Sequence, residues 1–597
     1  MSKKIIKLSL QLFGAVPKGE LCEAKHSKTL KYGLVLDQYA AYALNDVLEF
    51  LEEDQLNGEQ LNATFHKSWK IIKNSKQEEL AVHQLLHYST TYGTNFSSKY
   101  IYFPTEKLTI PAIKKLAIRV IQGVPPEELI EKALAMLSSG IALAEETVDA
   151  LLAVLEELGY VFTTVDHIKN KEALVKIIAA KKIYPSPPTE FLRYLVYLAT
   201  ESTLLIKSDD TIKKIKEAKP DISTHLNQFG LKKCATIFNR FKPLWLAFKS
   251  NARNKPLINE LNRLSKRYHR PMPVDVLNTI TSTQYKEGQV IQALYKVNNF
   301  RKIRLLHALN TRLNAADVFL YRIRNGRSFS KKEKMTEKWE YFQAMYQLVY
   351  ENLLETLSLY GTKIKYPVQV DYSLPASEKM FVGNFPVGTK ITSAKLVSGV
   401  YWRNEWGAED LDLSSLNVEG KVGWNSNFKA KGLLYSGDVT DATHGATELL
   451  YSKHTLEVPS LSILNIYTGS VGCKFKIIVG KASKVRQNYM FDPNELILEA
   501  ETHMVGRQQI LGIFLPEADQ QLSFVLVNAG FGNISVSGNS VHSDHARKAL
   551  LYQYAAPISF RKLLLDAGAT LVGKEEDASV DLMPQQLTKN TFIDLLS

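Results

Sequence analysis

Between about residues 110 and 360, apolar side chains recur at helical spacing; from about 365 they fall into short runs of β-type residues separated by turns. PPEELIEKALAMLSSG opens with prolines and acids and stops at Gly140, as a helix should. Val148, Leu151, Leu152, Leu155 and Leu158 then follow a helical stripe that ends at Gly159. PPTEFLRYLVYLATESTLLI is more uniformly apolar and predicts a buried central helix. Further helices are predicted over 232–248, 255–268, 290–297 and 334–359. Short turns between them suggest a bundle or solenoid, but no clean period assigns a repeat family.

Residues 1–110 mix signals and predict an α/β module. LDQYAAYALNDVLEFLEE and QEELAVHQLLHYSTTYG have helical spacing, the latter through Leu80, Val82, Leu85 and Leu86. The opening MSKKIIKLSLQLFG is broken by Lys7 and Gln11, so it predicts a first β-strand rather than a signal peptide. After Tyr360, KLVSGVYWR, LSILNIYTG, FKIIVG, QILGIFL and LSFVLVNAG predict an antiparallel β-sandwich over 365–540. Ile534 and Val536 alternating with serines extend it, and Gly530-Phe-Gly532 reads as a hairpin turn. Helical signals return over 541–597. The expected fold class is α+β multidomain: a mainly helical N-terminal half (111–360 after the mixed module), an antiparallel β-sandwich and a short helical tail.

With 597 residues the chain exceeds a single core, and three or four domains are expected. Cys22, Cys234 and Cys473 are far apart and form no CxxC or Cys/His cluster. That pattern argues against a disulfide framework and a zinc finger, and predicts a reducing compartment, the cytoplasm. No window is long and apolar enough for a membrane span. Charge is uneven. Residues 232–338 hold 24 Lys and Arg against 6 Asp and Glu, a surplus of 18 in a chain of net charge +13, so the remainder is net −5. An anionic partner is expected for that segment: nucleic acid, a phosphorylated ligand or an acidic protein surface. Its candidate contacts are Arg263, Lys266, Arg267, Arg301, Lys302, Arg304, Arg312, Arg322, Arg324 and Arg327, interleaved with Phe300, Phe319, Tyr321 and Phe329. A solvated charged face over an aromatic core explains the same pattern, and no nucleic-acid motif decides between them.

The acidic counterpart is WRNEWGAEDLDLSSLNVEGKVGW with LLYSGDVTDATHGATELLY. These hold Asp410, Asp412, Asp438, Asp441, His444 and Glu448. Asp-x-Asp on a strand puts two carboxylates on one face, and the turn from Gly437 to Gly445 can bring further oxygens to the same spot. Hard oxygen donors on turns suit Ca²⁺ better than zinc or copper. Asp438 and Asp441 also fit plain turn formation, in which aspartate bonds its own backbone, and both readings stand.

The same stretch resembles the TerD-type β-sandwich of tellurite-resistance and stress-response proteins, in which an Asp-Leu-Asp strand and a following Gly-Asp loop form calcium sites. The wider chain, through PPTEFLRYLVYLATE, FNRFKPLWLAFKSN to NRLSKRYHRPMP, and SGDVTDATHGATELLY, is similar to bacterial and phage proteins that join a long helical region to such a domain. The resemblance covers roughly residues 180–535. It implies calcium at Asp410, Asp412, Asp438, Asp441 and Glu448, although Thr440, Thr443 and His444 interleave where the family's second loop is more densely acidic. Some members carry a cysteine-rich RING module; this chain does not.

No GxSxG, Walker A, HExxH or dinucleotide fingerprint occurs. His83 with His87, and His542 with His545, are spaced to chelate but lack a marked third ligand. The chain is therefore expected to be a non-enzymatic scaffold or interaction protein of a Ter-type stress-response or phage-related system, with protein partners or self-assembly. The alternatives are a nucleic-acid-binding effector using the basic helices and a structural component of a phage particle.

Overall fold

The computed structural model describes residues 2–23, 28–64, 76, 78–79, 82, 85, 119–181, 183–314, 318–322, 328–332, 338–424, 429–486, 489–531, 553–554, 557–573 and 577–597. The fold is α+β: helices dominate the N-terminal half, antiparallel sheets follow, and short helices close the chain.

The first element corrects the sequence reading. Lys3–Phe13 is an α-helix, not a strand. Ser2 caps it by accepting from the Ile5 amide, and Gly14 ends it at φ 65°. Ile5, Ile6, Leu10 and Leu12 are buried. Lys7, which interrupts the apolar run, points outward to Glu53 at 2.7 Å, and Lys3 meets Glu49 at 2.5 Å. Lys7 and Gln11, read as interruptions of an apolar run, are the solvent face of an amphipathic helix. The expected helix over 232–248 is also divided, into Leu231–Ala235 and Lys242–Ala247 with 3₁₀ turns around them. Pro243 lacks a donor and starts the second piece instead of continuing the first. Pro126–Ser138, Glu145–Glu157, Pro188–Thr200, Lys255–Tyr268, Glu287–Leu294 and Trp339–Thr356 are helices where helical spacing predicts them.

The sandwich strands, numbered along the chain, are β1 (Val370–Asp371), β2 (Lys390–Ser393), β3 (Lys395–Trp402), β4 (Ala408–Leu416), β5 (Lys421–Gly423), β6 (Lys429–Ala430), β7 (Leu433–Tyr435), β8 (Ala446–Lys453), β9 (Ser460–Gly469), β10 (Lys474–Lys481), β11 (Leu496–His503), β12 (Gln508–Pro516) and β13 (Leu522–Phe531). They form a seven-stranded sheet in the order β5-β4-β9-β12-β13-β2-β1 and a six-stranded sheet in the order β6-β7-β8-β3-β10-β11. One buried cluster joins Trp402, Leu450, Phe475 and Ile477 of the second sheet to Leu411, Leu464, Phe514 and Val525 of the first. It continues into the helices through Ile6, Met136, Leu151, Ile303, Leu306 and Met345. A separate cluster holds residues 175–261, built around Phe191, Phe229, Phe238, Trp245, Ile258 and Leu261.

The other face of the six-stranded sheet is covered by the segment Leu56–Thr64. Leu61 is fully buried among Val397, Leu449, Ile478 and Phe491. Asn62 and Phe491 exchange two hydrogen bonds, Nδ2 to the Phe491 carbonyl at 3.0 Å and the Phe491 amide to Oδ1 at 2.9 Å. Beside them the Leu56 amide donates to Glu499 at 3.0 Å, and Glu499 also accepts from the buried Lys476 at 2.7 Å. The tail returns as well: Thr570–Val572 and Val580–Asp581 flank Lys363–Lys365 in a parallel three-stranded sheet, and Phe592 packs edge-on against Tyr372.

Candidate metal centre

Asp410 and Asp412 stand two apart on β4, so they share a face. Register shifts flank Asp410 where β4 pairs with β9, a bulge that re-aims its side chain. Asp438 lies in the loop between β7 and β8, entered at Gly437 (φ 104°) and left at Gly445 (φ 83°). At Gly445 a Cβ would sit 2.4 Å from the Tyr401 hydroxyl, so only glycine fits the exit. Asp410 and Asp412 come from one sheet and Asp438 follows a strand of the other. Together they place one carboxylate oxygen each within 4.8 Å of one another.

All three are buried, with exposures of 4%, 4% and 2%. Burial pushes Asp438 up to about 7. Burial, then the neighbouring Asp438, pushes Asp410 up to about 8. Burial, then Asp410 and Asp438, pushes Asp412 up to about 9, against the opposing pull of Lys421 on β5. Like charges taken out of water disfavour ionisation unless a cation arrives. The Asp410 Oδ1 is buried without a hydrogen-bond partner. Buried carboxylate oxygens are ordinarily satisfied, so an orphaned acceptor aimed among two further carboxylates fits a cation. The donor set is all oxygen, which excludes soft-metal chemistry. Asp410, Asp412 and Asp438 thus form a group that could hold a metal ion.

Glu448 and Asp441 lie outside the triad. Glu448 on β8 is fully buried, with Oε2 accepting from the Leu413 amide at 2.8 Å and Oε1 from the Val439 amide at 2.9 Å. It ties β4 to the loop carrying Asp438; burial, then Asp438 and Asp412, raises its pKa well above the carboxylate range. Asp441 is exposed and shapes the turn, accepting from the Thr443 amide at 3.0 Å and from Asn404 at 2.8 Å. His444 is exposed beside it. Three partners escaped the sequence reading. Asn404 clamps the loop, also accepting from the Ala442 amide at 2.9 Å. Tyr435, buried on β7, interacts with Glu448, and Lys421 with Asp412. Only Lys421, a cation nine positions after Asp412 in the acidic stretch, left a signal.

The basic candidates scatter. Arg263 pairs with Glu260 and Arg301 with Asp275. Lys302 is 2% exposed and donates to the Asn352 carbonyl and the Thr356 hydroxyl, both at 3.3 Å. Arg312 donates to the Ala308 carbonyl at 2.9 Å and covers the Phe319 ring at 4.8 Å. Arg304, Lys266 and Arg267 are exposed. Arg322 ends a strand, Val318–Arg322, paired with Ser328–Lys332. Arg324, Arg327, His83, His87, His542, His545, Gly532, Ile534 and Val536 lie outside the described residues. Among the described residues no helix is long and apolar enough to cross a membrane. No protein-family model, curated protein or solved structure matches the chain.

Proposed function

We propose that this chain is a non-enzymatic scaffold or interaction protein whose β-sandwich binds calcium, in a Ter-type stress-response or phage-related system. The observation that carries the reading is the buried triad Asp410, Asp412 and Asp438, with oxygens within 4.8 Å and the Asp410 Oδ1 orphaned. Three carboxylates on a strand and a loop suit the irregular oxygen shell of calcium better than the strict octahedron of magnesium. Their burial favours a structural or switching role over catalysis, which needs a site open to substrate. The Ter-type setting rests on the resemblance of the Asp-Leu-Asp strand and the Gly-Asp loop.

A thermal melt of the full chain with chelator, calcium or magnesium tests this. A ligand bound only by the folded state stabilises it by about 2.7 kcal/mol at about 100 times its Kd. The expected result is a rise in Tm with calcium, smaller with magnesium and absent in the double variant Asp410→Asn, Asp438→Asn. Equal melts in all three solutions would contradict the reading.

A further inference from the structure

The helix Lys255–Tyr268 has two faces of opposite character. Ile258, Leu261 and Ser265 are buried, the first two in the cluster with Phe238 and Trp245. Lys255, Asn259, Asn262 and Lys266 are exposed. At 100° per residue they fall on a strip about 60° wide, flanked by exposed Arg263 and Arg267. No apolar side chain lies on that strip. The one acid of the helix, Glu260, is held by Arg263 at 2.5 and 2.8 Å.

The fold adds cations at the C-terminal end of the strip. The Arg270 amide donates to the Thr236 carbonyl at 2.9 Å, and the Thr236 hydroxyl donates to the Lys233 carbonyl at 2.6 Å. Ser265 reaches Asn239 at 3.4 Å. The end of the strip, with Lys266, Arg267 and Arg270, therefore lies against the chain that follows the helix Leu231–Ala235, which carries Lys232 and Lys233; Lys233 covers the Phe229 ring at 5.4 Å and Arg267 the Tyr268 ring at 5.5 Å. All five are exposed, and none makes an ion pair with a described residue.

Five exposed cations without acidic partners among the described residues leave this side of the fold with an unbalanced positive charge that a polyanion would neutralise. A protein partner is disfavoured, because interface centres are desolvated aromatic and aliphatic anchors and this strip offers none. A membrane surface is disfavoured for the same lack of an apolar face. A phosphodiester backbone matches the cations. The amides Asn259 and Asn262, one turn apart, match base edges of the kind that asparagine reads in a major groove. The groove of B-form DNA, about 12 Å wide, admits a helix, whereas that of A-form RNA is too narrow for side chains to read.

We propose that the helix Lys255–Tyr268 docks in the major groove of duplex DNA. Asn259 and Asn262 face the bases, and Lys232, Lys233, Lys266, Arg267 and Arg270 face the phosphates. This surface is separate from the acidic triad and does not depend on calcium. The test uses the full chain in chelator and fluorescence anisotropy with a labelled DNA duplex of about two helical turns, over about 50 to 200 mM salt. An RNA duplex and polyglutamate of equal charge are compared. DNA is expected to bind tightest, with log K falling linearly in log salt. The Lys266→Ala, Arg267→Ala double variant is expected to flatten that slope by about 2, one per lost phosphate contact, with an unchanged melt because both side chains are exposed. Asn262→Ala is expected to narrow the difference between DNA sequences while leaving the slope alone. Absent DNA binding, an unchanged slope in the double variant, or equal binding of RNA or polyglutamate would overturn the proposal.

Discussion

At the scale of single residues, the triad makes stability depend on pH in a definite direction. Asp438, Asp410 and Asp412 are pushed up to about 7, 8 and 9, from an ordinary value of 3.8. The folded chain therefore keeps protons that the unfolded chain releases. Stability from this source is full below 3.8 and is lost as pH rises through the folded values. Urea unfolding in chelator is predicted to show a falling midpoint from about pH 5 to about pH 9. Calcium, which displaces the same protons, is predicted to bind more tightly as pH rises and to flatten the decline. A midpoint that stays level in chelator would mean that the carboxyls are already satisfied. Asp410→Asn removes a group that ionises at a cost. In chelator near pH 9 this variant is predicted to be more stable than the parent by at least about 1 kcal/mol, with the two nearly equal near pH 3.

Among the elements, the segment Leu56–Thr64 serves the sheet as a lid. Leu61 is fully buried, and Asn62 bonds both backbone groups of Phe491. Leu61→Ala leaves a cavity and is predicted to cost about 3 kcal/mol in denaturant unfolding. It should also open the chain near residue 60 to limited proteolysis. An intact fragment pattern together with a loss under about 1 kcal/mol would show that the segment is only draped on the surface. This element also marks where the sequence stops being legible. Helices with caps and stripes, such as Pro126–Ser138 and Glu145–Glu157, and strands such as Ser460–Gly469 are local and follow from periodicity. Docking of Leu61 against Ile478 spans more than 400 positions and leaves no local trace. The same contrast holds in the triad. Asp410 and Asp412 are neighbours two apart on one strand, whereas Asp438 joins them only through loop closure across two sheets. Asp441, equally acidic in the sequence, shapes the exposed turn instead, its Oδ1 accepting from Asn404 and Thr443. The first helix was illegible for another reason: Lys7 and Gln11 were read as breaks in an apolar run, although their spacing is that of the exposed face of a helix.

On the scale of the whole molecule, apolar packing divides into two main bodies of buried side chains. Residues 175–261 form their own cluster, while the sandwich shares a core with the other helices. Trp245→Ala, in the smaller cluster, is predicted to remove about 3 to 5 kcal/mol from that part alone. Calorimetry should then show an early transition in the variant, followed by a later one that still responds to calcium. A single transition lowered as a whole would show that the two clusters unfold together. The basic surplus of 232–338 and the carboxyl triad also fall in different regions of the chain. The claim on which the function rests is that this inner site takes calcium. Isothermal titration of calcium into the chelator-stripped full chain near neutral pH measures it directly, with Asp412→Asn as the comparison. One ion bound per chain, with proton release and no heat in the variant, is the predicted result. No saturable heat in the parent, or the same heat in the variant, would contradict it.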